Sequence, residues 1–429
     1  MVKNFIVSIL LCLLLTCLTI AQDKNPLEKR VDDVVGLFRN APTGYEKIFA
    51  KSFLDQVPNA QLTQIFTDFF NQLGRCVKTN HLTSDSPGVD KFDLIFEKGF
   101  SVPMTIVVDA NEPHYISSLL LGNPSPLVSN FNQLLANLKK LPGETSFIAA
   151  KIKDGKLETL ATHNPDSPLA IGSAFKLYVL SELVRTIKTG EHKWTDVITL
   201  KADSLSLPSG IIHKWPIGSP ITLHTLASLM ISISDNTATD QLVQFLGREK
   251  IEKILALTGN AKPDRNIPFL KTIELFKLKL DPSGKSAEIY LAKDINARRE
   301  MLNNEISKMD KQTLKPFPKP LYIDKLEWFA SANDMCRLMN WLHEQTQSDL
   351  TKPARDILAI NPGLSISEKD WPYIGFKGGS EPGVLNLTYL LQSSKGQWYF
   401  LSLTCNDPNT PIDEAKLFAI TQRAIDLLN

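Results

Sequence analysis

The stretch Ala170-Ile171-Gly172-Ser173-Ala174-Phe175-Lys176-Leu177-Tyr178-Val179-Leu180 decides how this chain is read. A glycine and a serine lead into an apolar run that ends near Ile187. That pattern predicts a helix with Ser173 and Lys176 in its first turn. Three residues apart on a helix is one turn, so the lysine nitrogen can reach the serine hydroxyl. A serine at a helix N-terminus also sits at the positive end of the dipole, which favours a developing anion. Taken alone, the pair reads equally well as an N-capping serine followed by a solvent-facing lysine. The flanking sequence has to decide.

On the N-terminal side, Ser146 to Lys153 and Lys156 to Ala161 alternate around Asp154-Gly155, a hairpin signal. On the C-terminal side, Leu385 to Leu391 and Trp398 to Leu403 flank Ser393-Ser394-Lys395-Gly396, a second hairpin. Glu414 to Leu428 then reads as a closing helix. Strands at both ends with a mostly helical middle imply one antiparallel sheet covered by helices, spanning 141–429, with the site in the middle.

Residues 22–125 have a different texture. Leu27, Val31, Val34, Val35 and Phe38, then Leu62, Ile65, Phe66, Phe69 and Phe70, recur at helical spacing. Phe92 to Phe96, Met104 to Val108 and Tyr115 to Leu121 then read as strands. This predicts a small α+β domain, a curved sheet cupping a helix, with Gly122-Asn123-Pro124-Ser125-Pro126 as the linker. Before it, Lys3 and the apolar run Phe5 to Ile20 read as a signal peptide cleaved after Ala21, because the run is shorter than the about 20 apolar residues of a membrane span. Periplasmic or secreted location follows as the expectation. Leu14-Leu15-Thr16-Cys17 only faintly resembles a lipoprotein motif, a minor alternative.

Over the 429 residues, 47 Lys plus Arg balance 46 Asp plus Glu, and no basic stripe argues for nucleic acid or an anionic membrane. Cys76, Cys336 and Cys405 remain after cleavage, which allows one disulfide or three buried small hydrophobes. With no HxxxH or HxH pair, no metal site is expected, and no organic cofactor either.

Two further motifs follow the first in order. Ser234-Asp235-Asn236 falls between a helix over Ile221–Ile233 and another over Thr237–Leu246, where capping alone would explain it. In a serine acyl-transfer site, Ser234 can pass a proton to the leaving group and Asn236 can hold a substrate amide. Lys377-Gly378-Gly379-Ser380 precedes the last hairpin, on an expected edge strand facing the site. Its paired glycines admit close approach of a substrate. Lys377 would attract a substrate carboxylate and depress the pKa of Lys176. Lys188-Thr189-Gly190 is a closer textual match, but it lies at the end of the nucleophile helix and ahead of Ser234, where Gly190 serves as a cap.

Together, SxxK, SDN and the KGGS triplet-plus-serine resemble the penicillin-recognising serine enzymes, particularly class A β-lactamases, over roughly Leu141 to Asn429. The extra N-terminal domain makes the chain most similar to the two-domain β-lactamase-like serine hydrolases of clavulanic acid biosynthesis. That resemblance implies a steroid-isomerase-like first domain, Ser173 as nucleophile, Lys176 as general base, and an oxyanion hole from the backbone N–H groups of Ser173 and Ser380. It implies a small-molecule substrate: a β-lactam, an ester or a cell-wall peptide. The chain departs from the family at the deacylating glutamate. In Arg265-Asn266-Ile267-Pro268 its place is taken by Ile267, which cannot take a proton from water. Glu274, seven residues on, reads first as a solvent-facing helix carboxylate, with a substitute base as the alternative. The segment Phe276 to Trp328 looks long for the family and is expected to reshape the mouth of the site. Weak β-lactam hydrolysis or esterase activity is therefore expected. The alternatives are a penicillin-binding-protein-like peptidase or transacylase, and a non-catalytic binding relic.

Overall fold

The structure is a computed structural model that describes residues 25–82, 88–153, 155–314, 318–364 and 366–429. The signal-peptide and Cys17 readings, and Asp154 of the first hairpin, lie outside the described residues. Two antiparallel sheets organise the chain. The first runs β1 (Cys76–Leu82), β2 (Asp90–Phe96), β3 (Phe100–Val108) and β4 (Ile116–Leu121) in sequence order. Helices Pro26–Leu37 and Asn59–Leu73 bury Val31, Val34, Leu62 and Phe66 with Leu94, Phe96, Val102 and Ile106 of the sheet in one apolar cluster. Phe38 is its keystone, edge-on to Phe66 and Phe96 with ring centroids 5.1 and 5.0 Å away. Strand β1 has no counterpart in the sequence expectation. Its segment is largely polar because it is an edge that buries only Asn80 and Leu82.

Gly122–Pro126, expected as a linker, keeps contact with this sheet. Ser125–Pro126 pairs with Phe100 and Ser101 of β3, and Leu127 N–H donates to Gly99 O at 2.8 Å. The chain leaves only beyond Leu127. Asn130 then caps the helix Phe131–Leu138, whose Leu134 and Leu138 are buried against the second sheet.

That second sheet comprises β5 (Glu144–Lys153), β6 (Lys156–His163), β7 (Tyr373–Glu381), β8 (Val384–Gln392) and β9 (Trp398–Asn406), in spatial order β7-β8-β9-β5-β6 and antiparallel throughout. The two chain-terminal hairpins therefore join through β9 and β5, as the sequence implies. Strand β8 is buried on both faces, which explains its almost unbroken apolar run. On one face Leu385, Leu387, Tyr389 and Leu391 meet the closing helix Glu414–Asp426. On the other, Leu390 and Phe400 join Ile148 and Ala150 against the helix Lys176–Lys188. Asn386 and Thr388 lie buried there too, satisfied by Thr404 Oγ1 at 2.8 Å and Ser402 Oγ at 3.0 Å. Helices Leu223–Ser232, Asn236–Leu246, Arg248–Leu257 and Thr272–Leu280 complete the helical layer. Strand β7 is left as an edge facing the start of the Lys176–Lys188 helix.

Candidate active site

Ser173 lies on a single 3-10 turn, Gly172–Phe175, that runs straight into the Lys176–Lys188 helix. The turn is held from both sides. Phe175 stacks on Trp328 at 3.7 Å between centroids and meets the edge of Phe269 at 5.7 Å. Ile171 N–H donates to Trp328 O at 3.0 Å. From the other side, β7 presses on the backbone of the turn itself. A Cβ at Gly379 would stand 2.1 Å from Ile171 O and 2.5 Å from Ser173 N. Gly172 has φ +47°, and a Cβ there would come within 3.1 Å of Ser380 N. These two glycines bring the N–H groups of Ser173 and Ser380 together.

Lys176 is fully buried, and its Nζ lies 2.7 Å from Ser234 O, 3.0 Å from Ser234 Oγ and 2.7 Å from Asn236 Oδ1. Its partners are thus the second motif rather than Ser173. Lys377 approaches the same hydroxyl from β7, with Nζ 3.1 Å from Ser234 Oγ and 2.7 Å from Gly378 O. Burial, then the positive charge of Lys377, hold Lys176 well below the ordinary lysine range, against the pull of Asp240 and Asp235. Burial also brings Lys377 down to about 7. Ser234 Oγ therefore lies between two lysines that both favour the neutral amine. A neutral Lys176 keeps two N–H groups for Ser234 O and Asn236 Oδ1, and one lone pair for a hydroxyl proton.

The local sequence explains this geometry. Ser234 adopts φ +56°, a left-handed conformation that costs about 1–3 kcal/mol outside glycine and must be held by its surroundings. Asp235 supplies that hold. Its carboxylate caps the following helix at Ala238 N–H and accepts from Ile211 and Ile212 N–H at 2.6 and 2.9 Å. Gly210 is required beneath it, since a Cβ there would meet Asp235 at 2.2 Å. Asn236, expected to hold a substrate amide, is engaged at both ends: Oδ1 accepts from Lys176, and Nδ2 donates to Leu207 O at 3.2 Å. It anchors the lysine, and its second Nδ2 hydrogen stays available in the cavity wall.

Ser173, Ser234, Asn236 and Lys377–Ser380 line one cavity of about 630 Å³, and Phe276 and Trp328 from the long segment are part of its lining. Lys188-Thr189-Gly190 lies apart at the far end of the helix, where Lys188 bonds Gln345. Glu274 is neither solvent-facing nor free. It is buried, paired with Arg248 at 2.7 Å and accepting from Lys271 N–H at 2.8 Å, so the solvent-facing expectation is corrected. Ile267 lines a smaller cavity with Arg265, Leu326 and Trp328. Cys76, Cys336 and Cys405 are all free thiols. Among the described residues, no group of three or more His, Cys, Asp or Glu is placed to hold a metal ion.

Sequence reasoning missed a cluster beside this cavity. Lys279 is fully buried between Glu327 and Glu381; it bonds both carboxylates, Glu381 at 2.7 Å. Glu381 carried a signal, since it follows Ser380 and alternates onto the face of Lys377 and Gly379. Glu327 and Lys279 carried none, because only the tertiary fold brings them together.

A model of the beta-lactamase enzyme family matches residues 126–426. The chain belongs to that family. It is thereby a β-lactamase-like serine hydrolase, and the SxxK, SDN and KGGS elements converge in it as the sequence implied. Among solved structures it is similar to the β-lactamase from Sphaerobacter thermophilus, with 20% identity, 69% of this chain and 94% of that one covered, and a TM-score of 0.48. It is also similar to the β-lactamase from Francisella tularensis, with 16% identity, 70% and 99% covered, and a TM-score of 0.49. A mutant of PBP-A, in an acyl-enzyme complex with penicillin G, is similar at 14% identity, 69% and 95% covered, and a TM-score of 0.47. No curated protein matches the chain.

Proposed function

We propose that this β-lactamase-family chain is an exported serine hydrolase, periplasmic or secreted, that works through an acyl-enzyme on Ser173 and turns β-lactams over slowly. The observation that carries the reading is the pair of buried lysines that meet at Ser234 Oγ, Lys176 one turn from Ser173 and Lys377 on β7, behind a cavity lined by Ser173 and Ser234. Neutral Lys176 takes the Ser173 proton as Oγ bonds the substrate carbonyl carbon, and the N–H groups of Ser173 and Ser380 receive the oxyanion. Each such donor is worth roughly 10²–10³ in rate. Ser234 hands a proton to the departing nitrogen or oxygen, resupplied by the lysines on either side of it. Lys377 while charged attracts a substrate carboxylate. Membership of the beta-lactamase enzyme family supports β-lactams as a first substrate class to try.

Acylation is thus provided for, whereas Ile267 offers water no base and Glu274 is committed to Arg248. Products should leave slowly. Steady-state turnover of a penicillin, an activated ester and a D-alanyl peptide, each with the native chain and Ser173→Ala, tests the reading. Turnover lost with Ser173→Ala supports it, and the preferred substrate separates a lactamase from an esterase or a peptidase. Turnover that survives in Ser173→Ala contradicts it.

A further inference from the structure

Hydrolysis of an acyl-serine needs a group to take a proton from the attacking water, and the carboxylates around the cavity have unequal freedom. Asp235 is spent on three backbone N–H groups, Asp240 on those of Thr272 and Ile273, and Glu274 on Arg248. Glu327 and Glu381 line the Ser173 cavity and share Lys279. Two independent placements bring them to the nucleophile. Glu381 is on β7, two residues beyond Gly379 and on the face that abuts Ser173 N. Phe329 and Ala330 pair with Ala170 and Leu169, and Trp328 O accepts from Ile171 N–H, so the same register sets Glu327 opposite Gly172.

We propose that Glu381, held beside Glu327 by Lys279, is the base that activates water on the Ser173 acyl-enzyme. The proposal rests on the acyl-enzyme reading above. One cation cannot neutralise two neighbouring carboxylates, so Glu381 keeps its proton in a range where a lone carboxylate has lost it. Burial first, then Glu327, raise Glu381 well above the usual carboxylate range, while Lys279 opposes the rise. Lys279 itself is raised by its two partners despite its burial, and stays charged. Lys377 on the same strand, Glu414, which lines the Ser173 cavity as well, and Lys91 and Asp413 around the outer side of Glu381 are the other charged groups nearby. When its own proton has left, Glu381 accepts a proton from water as the water oxygen bonds the acyl carbon. The tetrahedral adduct then expels Ser173 Oγ, which recovers a proton from Lys176 or Ser234. The acid product leaves, and Glu381 returns the proton it took from water to the relay of Ser173, Lys176 and Ser234, which restores the starting state. Deacylation is slow at neutral pH for this reason and speeds up as pH rises.

The test preforms the adduct with benzylpenicillin or p-nitrophenyl acetate, removes excess reagent, and follows adduct loss by intact mass across pH. In the native chain the rate of loss should climb with pH. Glu381→Gln should slow it by about 10²-fold at the alkaline end and flatten the profile. Glu327→Gln should shift the climb to lower pH, because the competing carboxylate is gone; a merely structural role would not move the midpoint. Adduct formation, measured on the same samples, reports that each variant is folded. Unchanged loss and profile in Glu381→Gln would overturn the proposal while leaving Ser173 as nucleophile. Absence of an adduct from either reagent on the native chain would overturn the acyl-enzyme reading and this proposal with it.

Discussion

Two buried lysines bond residues that line the same cleft and are treated in opposite ways. Lys176 sits among neutral acceptors with a second lysine beyond Ser234 Oγ, and is driven toward the free amine. Lys279 has two carboxylates and is driven to keep its charge. Burial penalises the ammonium in both, so the difference comes from the company each keeps. The first arrangement makes a base for acylation. The second fixes a pair of carboxylates that compete for a proton. Burial of a lysine therefore says little about its role until its neighbours are known.

The contrast can be broken at several points. Lys176→Ala should lower the acylation rate by roughly 10²–10⁴-fold, the usual share of a general base, with the fold unchanged by circular dichroism. Lys279→Ala should do the reverse, destabilising the chain by about 3–5 kcal/mol in urea unfolding because it strands two buried carboxylates. Gly379→Ala sharpens the geometric side. Its Cβ would force β7 off the turn at a cost of roughly 1–3 kcal/mol, with a larger relative loss of acylation than of stability.

The pH profile separates the two lysines more gently. Lys377 is charged below about 7 and neutral above, so the KM for a carboxylate-bearing substrate should rise through that range. A neutral ester should show no such rise. Lys377→Ala should move the acylation limb to higher pH, since it removes the cation that keeps Lys176 neutral. The smallest effect is expected of Glu274→Gln, which should weaken the Arg248 pair and leave adduct lifetime within about twofold of native, as expected of a group outside the chemistry.

The sequence showed most of the framework because its signals are local. The two hairpins, the Ser173 helix and the SDN turn all depend on residues within a dozen positions of one another, and their order named the family. The Lys279 cluster was invisible for the opposite reason. Its members come from a helix, a loop and an edge strand far apart in sequence, and only β7 pressed against the Ser173 turn assembles them. Glu274 was misjudged because helical periodicity cannot foresee Arg248 arriving from the neighbouring helix. The bonds of Asn236 to Lys176 and Leu207 O were equally out of reach, because its motif names neither partner. Polar β1 was overlooked because an edge strand needs little apolar sequence.

The account's central claim is a covalent intermediate on Ser173 that forms readily and leaves slowly. Intact-protein mass measured after brief exposure to benzylpenicillin at neutral pH tests it directly, with Ser173→Ala alongside. The account predicts a single adduct of the whole penicillin on the native chain, persisting after the reagent is removed, and none on Ser173→Ala. An adduct of the same yield on Ser173→Ala, or rapid hydrolysis with no trapped adduct on the native chain, would contradict it.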